Sequence, residues 1–185
     1  LAAFEVAHDL GLSVTTHAGV WGGIEDQSID NMYAAGVMRP GHTYVHAATL
    51  SDSSYQKIAA TGGTVSLSTE SESTCGQGYP PIHHVYRHGI GASLSIDSSA
   101  WFSSDMFSAM RSTVNAARAH EHLVAHQNGE SVSNVSFRVK DAVALATRDG
   151  AKALGKFDEI GSLEVGKLAD VVLVKNDQSP TFART

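Results

Sequence analysis

The chain has 185 residues, of which 42% are apolar, and it carries a formal net charge of −6. That length buries one sizeable core, or one domain and a piece of a second. Its 13 Lys and Arg are scattered, so the basic stripe that nucleic acid or anionic lipid requires is absent, and neither is expected as a partner.

The single cysteine, Cys75, excludes an internal disulfide framework and suits a reducing, cytoplasmic compartment. No apolar run approaches the roughly 20 residues that span a bilayer. Residues 1–10, with Leu1, Phe4, Val6, Ala7 and Leu10, read as the end of an amphipathic helix closed by Gly11. This terminus lacks the basic-then-apolar order of a signal peptide. Because the chain opens at Leu1 inside a helical pattern, a further segment is expected upstream.

A strand over residues 12–16 leads into His17, followed by the glycine-containing loop 19–23 and a helix over 26–38 that stops before Pro40. Thr43-Tyr44-Val45 is a second strand leading into His46. Ser51 or Asp52 caps a helix over 53–60, closed by Gly62-Gly63. Residues 64–68 form a third strand, and a polar loop carries the chain to Pro80-Pro81, which opens a helix ending near Gly89. A fourth strand over 92–96 leads into Asp97. Short strands alternating with helices, with a turn signal at each joint, predict an α/β fold with a parallel sheet. Beyond it, Met106, Met110, Val114, Ala117 and Leu123 mark a helix over 104–126, and a second helix is expected over 139–154. Residues 161–166 read as a hairpin-like turn, and 169–174 as a strand opening a new β unit.

Three of these strands end on a residue that binds metals: His17, His46 and Asp97. Barrels and open α/β sheets build their active sites at the carboxyl ends of parallel strands. Singly, each residue has an ordinary explanation: a hydrogen-bonded histidine, or an aspartate capping a helix. Jointly they predict a metal site. Imidazole and carboxylate without thiolate suit one divalent ion, Zn²⁺ first and Fe²⁺ second. His17 and Asp97 are the expected ligands. His46 is either a ligand or the group that orients water and substrate, and Asp97 can also accept the proton that the water sheds. Catalytic zinc usually takes three protein ligands, so more are expected upstream of Leu1.

The blocks Thr15-Thr16-His17, Val45-His46-Ala47-Ala48-Thr49-Leu50-Ser51-Asp52, Gly62-Gly63-Thr64-Val65-Ser66 and Ser95-Ile96-Asp97 resemble the last four barrel strands of the amidohydrolase superfamily. The closest likeness is to its cytosine deaminase, triazine hydrolase and chlorohydrolase-like branch. Residues 160–173, Ile-Gly-Ser-Leu-Glu-Val-Gly-Lys-Leu-Ala-Asp-Val-Val-Leu, resemble that superfamily's return into its small β-sandwich. The resemblance implies the second half of a (β/α)8 TIM barrel, strands five to eight over residues 1–157, with the start of the sandwich over 158–185. It makes His17 the fifth-strand ligand, Asp97 the eighth-strand ligand and proton acceptor, and His46 the sixth-strand group that holds water or substrate. It also implies a first-strand His-x-His pair ahead of Leu1. One departure stands out: deaminases of this branch carry Glu three residues after the fifth-strand His, and here that residue is Val20. Asp97, Glu70 or Glu72 would then supply the proton, although Glu70 and Glu72 also read as solvated loop carboxylates.

Trp21 and Trp101 are candidates to stack on a flat substrate, with core packing as the alternative. His84 and His88, four apart on a predicted helix, can clip a metal, but read as incidental imidazoles distant from the strand ends. His120-Glu121-His122 and His126 do not make a zincin motif, because Val124 stands where its second His belongs. Asn134-Val135-Ser136 is a formal glycosylation site without meaning in a cytosolic chain. The expected activity is metal-dependent hydrolysis of a non-peptide C–N bond in a small cyclic or heteroaromatic substrate. The competing expectation is a truncated, non-catalytic fragment; a further one is a chain that works only when paired with a second copy (a homo-oligomer) or with an N-terminal piece.

Overall fold

The structure, a computed structural model, describes residues 2–174. Helix α1 (Ala2–Asp9) precedes strand β1 (Thr15–Ala18), helix α2 (Gln27–Ala34), strand β2 (Thr43–His46) and helix α3 (Asp52–Ala60). Strand β3 (Thr64–Leu67) is followed by two short helices, α4 (Thr69–Thr74) and α5 (Ile82–Arg87), and by strand β4 (Gly91–Leu94). Helices α6 (Met106–Gln127), α7 (Val139–Ala146) and α8 (Arg148–Ala153) close the described fold. The sheet runs in chain order, β1-β2-β3-β4, with every pair parallel.

The register aligns Thr16, Tyr44, Val65 and Ala92 across the four strands. Because strand side chains alternate with period two, these residues share one face with Leu67. Tyr44, Val65 and Leu67 on that face are fully buried, packed with Ile29 and Met32 of α2, Ile58 of α3, Val85 of α5 and Leu145 of α7. Each such side chain removed from water is worth about 1.5–3 kcal/mol. The opposite face carries Thr15, His17, Thr43, Thr64, Ser66 and Ser93. These are mostly small and polar, and Thr43 and Thr64 share a hydroxyl hydrogen bond of 2.9 Å. Gly63 immediately precedes β3, where a Cβ would lie 2.7 Å from the Tyr44 ring.

Several expectations change. His17 lies inside β1 rather than after it, and Leu12 is left outside the strand and exposed. Asp97 sits three residues past β4, not at its end. The polar loop after β3 is helical as α4. The helix expected over 139–154 breaks at Thr147 (φ −130°, ψ −93°), whose hydroxyl donates to the Val143 carbonyl at 2.7 Å. That back-bond competes with the helix ladder and bends it, so α7 packs on α6 while α8 reaches β4. Residues 161–166 do form turns, and Leu168 N–H returns to the Glu159 carbonyl at 2.8 Å. Residues 169–174 are not a strand: among the described residues no neighbour pairs with them, and Leu173 is 92% exposed. The rest of the expected sandwich segment, 175–185, lies outside the described residues. No helix among them is long and apolar enough to cross a membrane.

Candidate active site

The end of β2 is backbone-strained. His46 and Ala47 have φ values of +69° and +57°, conformations that cost an ordinary residue about 1–3 kcal/mol each and need support from their surroundings. The support is visible. Ala47 N–H donates to the Ala18 carbonyl at 2.9 Å, and the buried Tyr55 hydroxyl of α3 donates to the Ala47 carbonyl at 2.5 Å. The loop after β1 is tied to the same place, with Thr49 N–H on the Gly19 carbonyl and Glu25 N–H on the Thr49 carbonyl, both at 2.9 Å. Gly19 (φ +59°) faces Leu50 so closely that a Cβ would come within 2.5 Å of it. Asp26 completes the knot, accepting from Ser51 N–H at 2.9 Å and from the Ser54 hydroxyl at 2.6 Å. Burial raises the Asp26 carboxyl, but these hydrogen bonds outweigh it and leave the group below its ordinary value.

The His46 imidazole is 2% exposed and lies beside the His17 ring, with centroids 5.4 Å apart. Its Nδ1 is 3.3 Å from Glu72 Oε1, and its Nε2 is 3.9 Å from Asp97 Oδ2. The first is a long hydrogen bond; the second is an ion-pair separation with no hydrogen bond. Asp97 is itself in a left-handed turn (φ +57°), its N–H donating to the Ser95 hydroxyl at 3.1 Å. His46 therefore neighbours both His17 and Asp97 at the carboxyl end of the sheet.

Glu72 is not a solvated loop carboxylate. It is 1% exposed on α4, and its Oε1 accepts Ser68 N–H at 2.7 Å as well as facing His46. Its Oε2 is buried with no hydrogen-bond partner. Burial pushes its carboxyl above the ordinary value, against the pull of His46 and the Ser68 N–H. Glu70 is also engaged, since its Oε2 accepts Ser103 N–H at 3.1 Å and the Ser103 hydroxyl at 2.6 Å. That contact ties the segment carrying Trp101 to α4. Trp21 (φ +68°) and Trp101 are 56% and 77% exposed, outside the core of the described residues.

The donor set at the strand ends is two imidazoles and a carboxylate, the chemistry that borderline divalent ions take. With Nδ1 directed at Glu72, His46 has Nε2 left to face the space beside Asp97. The 3.9 Å between His46 Nε2 and Asp97 Oδ2 places the His46 imidazole beside the Asp97 carboxylate, within reach of a water held there. The residues present thus fit part of a metal site. Among the described residues, however, the three potential ligand atoms that all lie within 4.8 Å of one another belong to a different trio, Asp52, His84 and His88. His84 and His88 thus share an acidic neighbour, Asp52, away from the rim. Sequence reasoning also missed Tyr55 and the Glu72–His46 contact. The one local trace of the latter is a Glu four residues after Ser68, at the start of a helix whose free N–H groups attract a carboxylate.

A parallel α/β segment with imidazoles and a carboxylate at the carboxyl rim of its sheet is the architecture in which α/β barrels build their sites. The Amidohydrolase family model matches residues 1–185, and the chain belongs to that family, whose members are metal-dependent. A 5-methylthioadenosine/S-adenosylhomocysteine deaminase of Symbiobacterium thermophilum is 28% identical over 94% of this chain and 40% of its own length. Human guanine deaminase is 28% identical over 73% of this chain and 29% of its own length. A zinc-bound adenosine deaminase of Xanthomonas campestris superposes with a TM-score of 0.71 at 25% identity, over 91% of this chain and 39% of that one. A triazine hydrolase variant follows the same fold with a TM-score of 0.65 at 22% identity, over 90% and 36%. The sheet is thus a segment of an amidohydrolase TIM barrel, and the chain spans about 40% or less of these relatives.

Proposed function

We propose that the protein containing this chain is a metal-dependent hydrolase of non-peptide C–N bonds, acting on a small cyclic or heteroaromatic substrate in the manner of a deaminase. The observation that carries this is the His46 imidazole set between Glu72 and Asp97, with His17 alongside, in a chain matched along its whole length by an enzyme family. The deaminase relatives favour this over a non-catalytic role. Zinc is the proposed ion, supported by the nitrogen and oxygen donors and by the zinc-bound neighbour. When bound, such an ion lowers the pKa of a coordinated water to about 7 and so supplies hydroxide near neutrality.

In this reading His17 and Asp97 would hold the ion, and Asp97 would be the group positioned to accept a proton from the attacking water. His46, with Nδ1–H held by Glu72, presents the Nε2 lone pair to orient the water, and it polarises the electrophilic carbon only as the imidazolium, when Nε2–H donates to the substrate. Glu72 acts through His46: it accepts from Nδ1–H, fixes the tautomer and leaves Nε2 directed at the reaction, as carboxylates behind site histidines do. Val20 supplies no acid three residues after His17, so the proton returns to the leaving group from Asp97. Trp21 and Trp101 are exposed near this rim and suit stacking on a planar ring. Further strands, or a second copy, would cover β1 and β4, each of which has one hydrogen-bonded neighbour in the described sheet. The lone Cys75 supports a cytoplasmic setting. The boundary near residue 157 is retained as the junction with a small sandwich domain.

Asp97→Asn in the whole protein is expected to abolish turnover on a panel of aminated purines, pyrimidines and triazines and to lower bound metal. Retained activity with full metal content would overturn the assignment.

A further inference from the structure

Away from the strand-end trio, the first turn of α3 and the end of α5 bring together Asp52, His84 and His88. His88 Nε2 is 2.7 Å and His84 Nδ1 is 3.9 Å from the same oxygen, Asp52 Oδ1. We propose that Asp52, His84 and His88 form a second divalent-metal site, selective for borderline ions of the Zn²⁺, Ni²⁺ or Cu²⁺ type, which clips α3 to α5.

Four observations support it. The two histidines are four residues apart along α5 and its C-cap, the spacing that puts side chains on one helical face. His84 Nδ1 is buried with no hydrogen-bond partner, an unsatisfied lone pair or N–H that a structure rarely tolerates. The Tyr55 ring lies nearly parallel to both imidazoles, at 10° and 4.5 Å from His84 and at 11° and 6.1 Å from His88, so both rings are held in orientation before an ion arrives. Asp52 Oδ2 accepts from Gln56 Nε2 at 3.2 Å, the outer support that orients ligating carboxylates.

The three ligand atoms lie within 4.8 Å of one another and need small movements to reach the separation of about 3.4 Å that one tetrahedral ion imposes. The Asp52 side chain is 40% exposed, which leaves an entry path and a fourth position for water. Arg87, with Nη1 3.6 Å from Asp52 Oδ1, is the competing cation. Its side chain is 68% exposed and can turn out into solvent when an ion takes the carboxylate.

The test uses the metal alone. The purified protein carrying His17→Ala and Asp97→Asn, which disables the strand-end site, is titrated with Co²⁺ and followed by the visible absorption of tetrahedral cobalt, then competed with Zn²⁺. One equivalent with a tetrahedral spectrum is expected, together with an upward shift in the thermal midpoint on adding Zn²⁺. Adding His84→Ala and His88→Ala should abolish both signals. Where that variant does not fold by circular dichroism, Asp52→Asn is the replacement, since it keeps the side-chain shape and leaves Ser51 as the N-cap of α3, and it should weaken binding at least about tenfold. No tetrahedral cobalt signal in the parent, or a signal unchanged in a folded Asp52→Asn variant, overturns the second site.

Discussion

Residue by residue, the imidazole of His46 is the best-defined group at the rim of the sheet. It is positioned by a left-handed backbone turn, a carboxylate behind Nδ1 and a carboxylate ahead of Nε2. A buried Glu with one oxygen unpartnered is costly, and Glu72 is tolerable because its other oxygen serves both His46 and the Ser68 N–H. Glu72→Leu keeps the bulk and removes the acceptor. It is expected to lower kcat about 10–100-fold with KM little changed, while Glu72→Gln, whose amide oxygen can still accept, restores most of the rate. Steady-state kinetics of the two variants check this, and equal rates for both would show that Glu72 does not act through His46.

At the scale of elements, strands and loops are matched to one another by hydrogen bonds from outside each strand. Tyr55 in α3 supports the turn at the end of β2, and Asp26 before α2 caps the start of α3. Tyr55→Phe removes the buried hydroxyl and leaves the Ala47 carbonyl unsatisfied. That costs about 1–3 kcal/mol, measurable in urea unfolding, and turnover should fall further as His46 loses its fixed orientation. The elements themselves were largely legible. Val, Thr and Ser runs between glycines and prolines mark β1 to β4, and period-3.6 apolar spacing marks α6. The break at Thr147 was not, because a threonine in a helical pattern bends the chain only when its hydroxyl turns back to the Val143 carbonyl. A strand over 169–174 was expected from Val-Val-Leu-Val, but a strand needs a partner for its backbone groups and none stands beside it in the described fold.

Taken as a whole, the molecule buries histidines as well as aliphatic side chains, and this sets its response to acid. His42 is 2% exposed, with its Nε2 3.3 Å from the His8 ring. Burial, then the charges of His8 and Arg39, hold its pKa below the ordinary 6.5. The unfolded chain therefore takes up a proton near pH 6.5 that the native state refuses, so stability is full above that value and falls as pH drops from it towards the folded pKa. Urea midpoints at about pH 8 and about pH 5.5 should differ, and His42→Phe should shrink that difference. An unchanged difference would place the acid sensitivity elsewhere.

From the sequence alone came the parallel α/β order, the likeness to amidohydrolases, and the choice of His17, His46 and Asp97 as neighbours. The strand order and the choice of residues rest on local signals, apolar runs, turn residues and what terminates each run, while the likeness rests on the motif blocks at residues 15–17, 45–52, 62–66, 95–97 and 160–173. Only the tertiary structure decided that Glu72 lies behind His46 and that Asp52 meets His84 and His88. These contacts join residues 26 and up to 36 positions apart. They depend on sheet register and on where short helices settle against it, which no single stretch of chain encodes.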